Sequence, residues 1–427
     1  MQRHLFGLTA TLVALSLATA LTSCSSDEES DVTLQLVAAD YDVDGGQSSK
    51  EYWKGLVSAF EAKNPKIKVD VRIEPWTDVD RTVRELVEAG KAPDVAQVGA
   101  YADYAADDKL YAADDVLSLT TQANFLPPLR DAGEQRRVQY GMPFVASTRL
   151  LFYNKKLFEQ AGVEQPPRTW EELRAAAEQL KEGTDAKYPY ALPLGPEEAQ
   201  AETMLWLLGG DDGGSGYTQT GGTYAINSET HVETFSWLKS NLVEPGLTGP
   251  VAPGKLNRKD AFAAFAKGEV GMLNGHPSLI KTAEAAGIDL GMVAVPGRKG
   301  KPKTTMGVAD WIMGFKQNGN RSEIRAFLDF VFDDGNVLAF AGQNNLLPVT
   351  TTASHAMKED PKYAKLKGFL AELPNSVLPP VNKTSWSSVS TTVKQTIGQA
   401  VAPEGDPEQV LDAIAHEASK AEAKEEE

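Results

Sequence analysis

The sequence predicts an α/β protein of two lobes that hold a ligand between them. The chain has 427 residues, which is more than a single hydrophobic core normally organises. Strand-like and helix-like segments alternate through residues 32–99, as in a parallel sheet with helical crossovers. A second alternation begins after residues 141–155, where two apolar runs flank the small residues Ala146 and Ser147. We interpret this stretch as a crossover between two lobes and as the floor of a cleft.

The first lobe begins with a βαβαβ pattern. Ligands of parallel sheets bind beyond the carboxyl ends of the strands, so the loops after the first and third strands are predicted to face the ligand, with Asp40 and Tyr41 in the first of them. The pattern comprises strands at residues 32–39, 67–73 and 94–99 and helices at residues 49–60 and 79–89.

The first of these loops has a second interpretation. Asp40, Asp42, Asp44, Gly45 and Glu51 have the spacing of a twelve-residue calcium loop. However, a strand precedes this loop where a helix is usual, and its eighth position is a glutamine instead of an apolar residue. A ligand-facing loop and a solvated acidic loop are the alternatives, and we assign no metal ion.

The second lobe carries an acidic pair at the end of an apolar run. Glu197 and Glu198 follow residues 188–194, and their carboxylates can accept hydrogen bonds from ligand hydroxyls. Acidic residues also suit a helix N-terminus, so the pair has a structural interpretation too. Later in the chain, the periodicity predicts a strand at residues 268–273 and one helix over residues 325–340.

Two tryptophans have the chemistry of a sugar site. Trp311 follows Asp310 inside an apolar, strand-like run, and Trp386 lies in a polar loop before a helix. An aromatic face packs against the C–H groups of a sugar, and a neighbouring carboxylate accepts its hydroxyls. Packing in the core is the alternative for Trp311.

The N-terminus predicts export. Residues 1–23 have a basic start, an apolar middle and small residues after it, which is typical of a secretory signal. They end before Cys24, the only cysteine of the chain, in a sequence that resembles the bacterial lipoprotein processing box. We therefore expect lipidation at Cys24, a polar tether over residues 24–31, and a location on the outer face of the cell membrane. Residues 420–427 form a charged tail.

Composition excludes several other classes. The net charge of −17 argues against nucleic acid, whose binding depends on Lys and Arg. The glycine-rich residues 209–222 lack the Lys-Ser/Thr of a phosphate loop, so no cofactor is predicted. A secreted glycoside-acting enzyme, with Glu197 and Asp310 as paired carboxylates, remains an alternative. A binding protein for a polyamine or a peptide is another.

A set of short motifs follows the first lobe: Pro143-Phe144 through Tyr153-Asn154-Lys155, Ala161-Gly162, Pro166-Pro167 and Thr169-Trp170-Glu171-Glu172-Leu173. These motifs give the chain a resemblance to the extracellular solute-binding proteins of bacterial ATP-binding-cassette (ABC) importers, in the group that includes maltose-binding protein. The resemblance implies the type II periplasmic-binding-protein fold, in which a discontinuous hinge joins two α/β lobes around the cleft. It also implies a non-catalytic monomer that captures a mono- or oligosaccharide by lobe closure and delivers it to a membrane permease.

The resemblance further implies lobe boundaries and ligand-contacting positions. The N-terminal lobe would comprise residues 32–146 and 309–346, and the C-terminal lobe residues 147–308 and 347–419. The implied ligand-binding residues are Asp40, Tyr41, Gln97, Tyr101, Ser147, Glu197, Asn274, His276, Asp310, Trp311 and Trp386.

Overall fold

The structure is a computed structural model that describes residues 31–41, 48–210, 214, 216–219 and 221–426. The predicted signal, the lipidation site at Cys24 and most of the candidate calcium loop lie outside these residues. In the part of the chain that is described, no helix has the length and apolar character required to cross a bilayer.

The strands build two main sheets and one short hairpin. They are β1 (Val32–Asp40), β2 (Ile67–Pro75), β3 (Val95–Val98), β4 (Glu134–Gln135), β5 (Val138–Gln139), β6 (Met142–Thr148), β7 (Leu150–Asn154), β8 (Tyr188–Ala191), β9 (Val270–Gly275), β10 (Leu290–Val293), β11 (Thr305–Gly314) and β12 (Ser376–Val377).

The first sheet has the order β12-β11-β3-β1-β2, and β6 also pairs with β11. β1 lies parallel to both β2 and β3, as the βαβαβ pattern predicts. β11 returns from the far end of the chain and runs antiparallel to β3 and to β6. The second sheet has the order β10-β7-β9-β8, in which only β8 and β9 are parallel.

Helices cover both sheets. They are α1 (Ser48–Lys63), α2 (Val79–Glu88), α3 (Ala102–Ala106), α4 (Ala113–Val116), α5 (Leu119–Asn124), α6 (Pro127–Ala132), α7 (Lys155–Ala161), α8 (Trp170–Gly183), α9 (Ala199–Gly210), α10 (Glu229–Leu238), α11 (Arg258–Ala266), α12 (Ser278–Ala285), α13 (Arg321–Val331), α14 (Asp334–Gln343), α15 (Thr351–Glu359), α16 (Lys367–Glu372), α17 (Trp386–Thr396) and α18 (Pro407–Glu426).

Local sequence explains where several helices begin and end. Thr169 caps α8 in a reciprocal capping box with Glu172. Asn154 caps α7, and Gly162 ends that helix with a positive φ of 72°, which glycine adopts without a steric penalty. The two helices that follow the crossover therefore have fixed boundaries.

Two predicted elements differ from the structure. The single helix over residues 325–340 is wrong, because the segment breaks into α13 and α14 at Asp333, whose carboxylate caps the second helix. The strand predicted at residues 268–273 continues as β9 through Asn274 to Gly275. Asn274 therefore lies within a buried strand instead of in the loop beyond it.

Three segments cross between the lobes side by side. β6 pairs with β11, and the backbone of Ala146 exchanges two hydrogen bonds with that of Leu347 (N···O distances 2.9 and 2.8 Å). The lobe boundary predicted at residue 347 stays a prediction. Residues just after it still contact the first lobe, since Leu126 donates its N–H to the carbonyl of Val349 at 2.9 Å.

Candidate ligand-binding cleft

The floor of the cleft is the paired segment of β6 and β11. Asp310 pairs with Val145, and Val308 pairs with Ser147. Paired residues of antiparallel strands share a face, and residues two apart lie on the same face. Asp310 and Ser147 are therefore diagonal neighbours, a relation that separates side chains by roughly 7–8 Å. Both are partly accessible.

The first lobe contributes a hydrogen-bonded triad of Tyr41, Gln97 and Asp310. The hydroxyl of Tyr41 donates to Oδ2 of Asp310 at 2.7 Å and accepts from Nε2 of Gln97 at 2.5 Å. Gln97 is fully buried, and its Oε1 accepts the N–H of Ala39 at 2.9 Å. Gln97 thus positions the tyrosine, while Asp310 keeps an oxygen, Oδ1, that no described group hydrogen-bonds.

An aromatic wall that the sequence analysis missed flanks this triad. The ring of Tyr41 makes edge contacts with Trp76 and Phe340, at centroid distances of 5.3 and 5.0 Å. Trp76 is partly exposed and directly follows β2, whose carboxyl end adjoins that of β1. The strand-end rule that selected Asp40 and Tyr41 would also have selected Trp76 if it had been applied to the second strand.

The second lobe contributes a buried ionic network. The guanidinium of Arg149 contacts Oε1 of Glu198, and Arg258 bonds Oε2 of Glu198 at 2.9 Å and Glu202 at 3.0 Å. Both arginines and Glu202 are almost fully buried, whereas the side chain of Glu198 is 24% exposed. Arg149 also donates to Oγ of Ser147 at 3.3 Å. The network therefore reaches the cleft floor and presents one carboxylate, that of Glu198, toward solvent.

Asn274 belongs to the base of this network. Its Nδ2 donates to Glu202 at 2.9 Å and to the hydroxyl of Tyr190 at 3.0 Å, and its backbone carbonyl accepts from Arg258 at 2.6 Å. With 1% of its surface exposed, Asn274 orients groups beneath the cleft and has no open path to a ligand in this structure.

His276 lies at the edge of the same network and is partly exposed. Its Nδ1 is 2.7 Å from Oγ of Ser278, and its ring lies 4.8 Å from that of Phe262. Burial, together with the positive charge of Arg149, lowers the pKa of His276 to about 3 against the opposing charge of Glu198. The imidazole is therefore neutral at physiological pH.

The two cleft carboxyls have opposite pKa shifts. Burial raises the pKa of Asp310 to about 6, which outweighs the opposing hydrogen bond from Tyr41. Burial also acts to raise the pKa of Glu198, but the guanidinium groups of Arg149 and Arg258 outweigh it and hold that pKa well below its usual range. Burial, together with the charge of Asp310, raises the pKa of Tyr41 well above its usual value, so its hydroxyl stays protonated and donates.

Trp311 and Tyr101 lie behind the cleft instead of in it. Both are fully buried, with ring centroids 5.2 Å apart, and Tyr101 donates its hydroxyl to the carbonyl of Ala132 at 2.6 Å. A β-bulge between Asp310 and Trp311 shifts the register there, which re-aims the second side chain. A Cβ at Gly141 would lie 2.6 Å from the ring of Tyr101, so glycine is required there. The structure thus favours the core interpretation of Trp311.

The remaining candidates lie farther from these groups. Glu197 is exposed, and its carboxylate accepts the N–H of Lys259 at 3.2 Å. Trp386 begins α17 and is half-buried against Tyr217, at a centroid distance of 5.0 Å. Asp40 ends β1 and is partly exposed. Among the described residues, no group of three or more His, Cys, Asp or Glu side chains is placed to hold a metal ion.

Comparison with known proteins decides the family. The profile of the bacterial extracellular solute-binding proteins matches residues 46–337, which is more than half of the chain. This chain is a bacterial extracellular solute-binding protein. A similar solute-binding protein, described as a putative binding protein of Brucella abortus (strain 2308), is 27% identical over 418 residues, which cover 94% of each chain.

Solved structures show that the fold of this solute-binding protein is the type II two-lobed fold. The cyclic alpha-maltosyl-1,6-maltose binding protein of Arthrobacter globiformis is 20% identical and superposes with a TM-score of 0.75, covering 91% of this chain and 98% of that chain. The GacH receptor of Streptomyces glaucescens GLA.O is 22% identical, with a TM-score of 0.75 and coverages of 92% and 99%. At these identities the likeness concerns the fold alone.

Proposed function

We propose that this solute-binding protein captures a mono- or oligosaccharide in its cleft and delivers it to an ABC permease. The observation that carries the proposal is the pair of carboxylates, Asp310 and Glu198, that face the cleft from opposite lobes beside Ser147. Carboxylate oxygens accept hydrogen bonds from sugar hydroxyls, and partly exposed aromatic rings such as Trp76 pack against C–H groups. Two similar proteins support this proposal, since that of Arthrobacter globiformis is named as a cyclic alpha-maltosyl-1,6-maltose binding protein and the GacH receptor of Streptomyces glaucescens is described in complex with acarbose.

The charges of the cleft favour a neutral solute. Both arginines of the network are engaged by Glu198 and Glu202, so neither is free to neutralise a phosphate or a carboxylate of the ligand. Of the two carboxylates that face the cleft, only Asp310 has no arginine or lysine partner, and its raised pKa weakens its charge near pH 6. A polyamine, which needs several ionised and unpaired acids, fits this arrangement less well than a polyol does.

Binding would act through closure of the lobes. A ligand shifts the population toward the closed form only by its differential affinity for that form. A sugar that contacts Asp310 on one lobe and Glu198 on the other has this property, because both contacts exist only when the lobes are close together. Closure would then present the complex to the permease.

The proposal also includes the attachment of the protein to the membrane. We infer that the signal is removed before Cys24 and that the lipidated cysteine holds a monomer on the outer face of the cell membrane. Cys24→Ala should release the protein into the medium and abolish labelling by a fatty acid. A variant that stays membrane-bound would refute the lipid anchor and leave solute binding untouched.

Thermal-shift screening against a carbohydrate panel tests the binding function. A ligand that binds only the native state raises Tm, so at least one sugar is expected to stabilise the protein in a concentration-dependent manner. The same sugar incubated with the protein should be recovered without hydrolysis. Product formation would favour a glycoside-acting enzyme, and stabilisation by a peptide or a polyamine but by no sugar would refute the proposed ligand class.

A further inference from the structure

A second pocket is lined only by residues of the C-terminal lobe. Its volume is about 630 Å³, which is within the range of small-molecule sites. Its walls are formed by the loop after β8, by residues 248–255, by residues 394–403 at the end of α17, and by Val243. None of the predicted ligand-binding residues lines it.

The walls of this pocket are rigid and mostly apolar. Leu194, Val243 and Val401 contribute aliphatic surface, and prolines at positions 196, 250, 253 and 403 contribute surface that carries no N–H donor. Two of the walls meet through glycines, since a Cβ at Gly398 would lie 2.3 Å from Cα of Gly254. The prolines fix the backbone φ angle at their positions, so we expect the pocket to be preformed.

Two cations line the pocket. Lys255 and Lys394 both line it, and neither has a carboxylate partner among the described residues. By contrast, the nearby Lys239 donates to the carbonyls of Pro403 and Gly405 at 3.0 and 2.7 Å. In a chain with a net charge of −17, two unpaired lysines on one apolar pocket form a local site for an anion.

We propose that this pocket binds a small amphipathic anion, with its apolar body between the proline-rich walls and its acidic group at Lys255 and Lys394. Its chemistry is opposite to that of the cleft, where the cations are already paired and carboxylates face the ligand. The protein would therefore bind two different classes of molecule at separate sites.

Fluorescence titration with 8-anilinonaphthalene-1-sulfonate tests the proposal, because this probe combines an aromatic body with one negative charge. We expect saturable binding at one site and a loss of at least tenfold in affinity in the double variant Lys255→Gln/Lys394→Gln. N-phenyl-1-naphthylamine, which has the same rings without the sulfonate, should bind the wild type at least tenfold more weakly than the anionic probe does.

Matched variants separate the pocket from other surfaces. Lys68→Gln removes a lysine that pairs with Glu61 elsewhere, and Asp310→Asn alters the cleft; both should bind the probe as the wild type does. Ala402→Trp fills the pocket and should abolish binding while thermal unfolding stays cooperative. Equal affinity of the double variant and the wild type, or tighter binding of the uncharged probe, would overturn the proposal.

Discussion

The two lobes present a carboxylate to the same cleft in opposite ways. In the first lobe, Asp310 has only neutral hydrogen-bonding partners, and burial raises its pKa to about 6. In the second lobe, Glu198 contacts two arginines, which hold its pKa well below its usual range. The difference shows that one side of the cleft is a fixed anion and the other is sensitive to pH. It also shows that the cleft carboxylate of the second lobe is held by charge pairing, whereas that of the first lobe is held by a neutral hydrogen-bond donor.

The largest effect is expected from breaking the ionic network. Arg258→Gln leaves Glu202 buried without a cation, and loss of one partner of a buried ion pair costs about 3–5 kcal/mol. Urea unfolding should show this loss in the free energy of unfolding. The matched control is Arg174→Gln on the surface of α8, which pairs with Glu171 and Glu178 and should cost less than about 1 kcal/mol. Equal losses in the two variants would contradict the structural role of the network.

A second test compares the two tryptophans that the sequence pattern assigned to a sugar site, Trp311 in β11 and Trp386 at the start of α17. Trp311→Ala creates a cavity in a fully buried site and should cost about 3–5 kcal/mol of unfolding free energy. Trp386→Ala, at a half-buried position, should cost less than half of that. Calorimetric unfolding measures both values. If Trp311→Ala leaves stability unchanged and only ligand binding suffers, the sugar-stacking role of Trp311 is the correct one.

Asp310 itself should control affinity more than stability. Asp310→Ala removes a hydrogen bond to a charged group, worth about 1.5–3 kcal/mol, so the Kd for the sugar identified by screening should rise roughly 10- to 100-fold. Titration calorimetry gives the value directly. Glu197→Gln changes an exposed acid outside the cleft, so its Kd for the same sugar should stay within about twofold of the wild-type Kd. A larger rise in Kd for Glu197→Gln than for Asp310→Ala would show that Glu197, and not Asp310, contacts the ligand.

The smallest expected effect is the pH dependence of stability. Because the pKa of Asp310 is raised to about 6 in the folded protein, the folded state binds this proton more tightly than the unfolded state does. The contribution of Asp310 to stability is therefore fully present below its unfolded pKa of about 4 and is lost as the pH rises through 6. Asp310→Asn should remove this slope from unfolding curves collected between pH 4 and pH 7. A slope that persists in the variant would assign the titration to another group.

Much of the fold was predictable because its signals are local. The periodicity of the first hundred residues identified β1 to β3 with the helices between them, and Thr169 marked the start of α8. The break at Asp333 was missed because the apolar pattern continues across it from α13 into α14. Its signal was the acidic pair Asp333–Asp334 inside an otherwise amphipathic run, which is typical of a helix cap.

The site was predictable only in part, because its contacts join distant segments. Strand ends and the family resemblance selected Tyr41, Gln97 and Asp310, which the structure brings together. The network of Arg149 and Arg258 with Glu198 was missed, since these pairs are 49 and 60 residues apart. One signal was available: Arg149 interrupts an apolar run, and a buried arginine requires an acidic partner. That rule predicts that an acidic partner exists, but it does not predict where in the sequence the partner lies.

The most direct test of the proposed cleft is a crystal structure of the protein with the carbohydrate that raises Tm most. The account predicts a sugar between the lobes, with hydroxyl oxygens within about 3 Å of the carboxylates of Asp310 and Glu198 and with Trp311 still buried behind β11. A sugar bound without contact to either carboxylate, or stacked on an exposed Trp311, would contradict it.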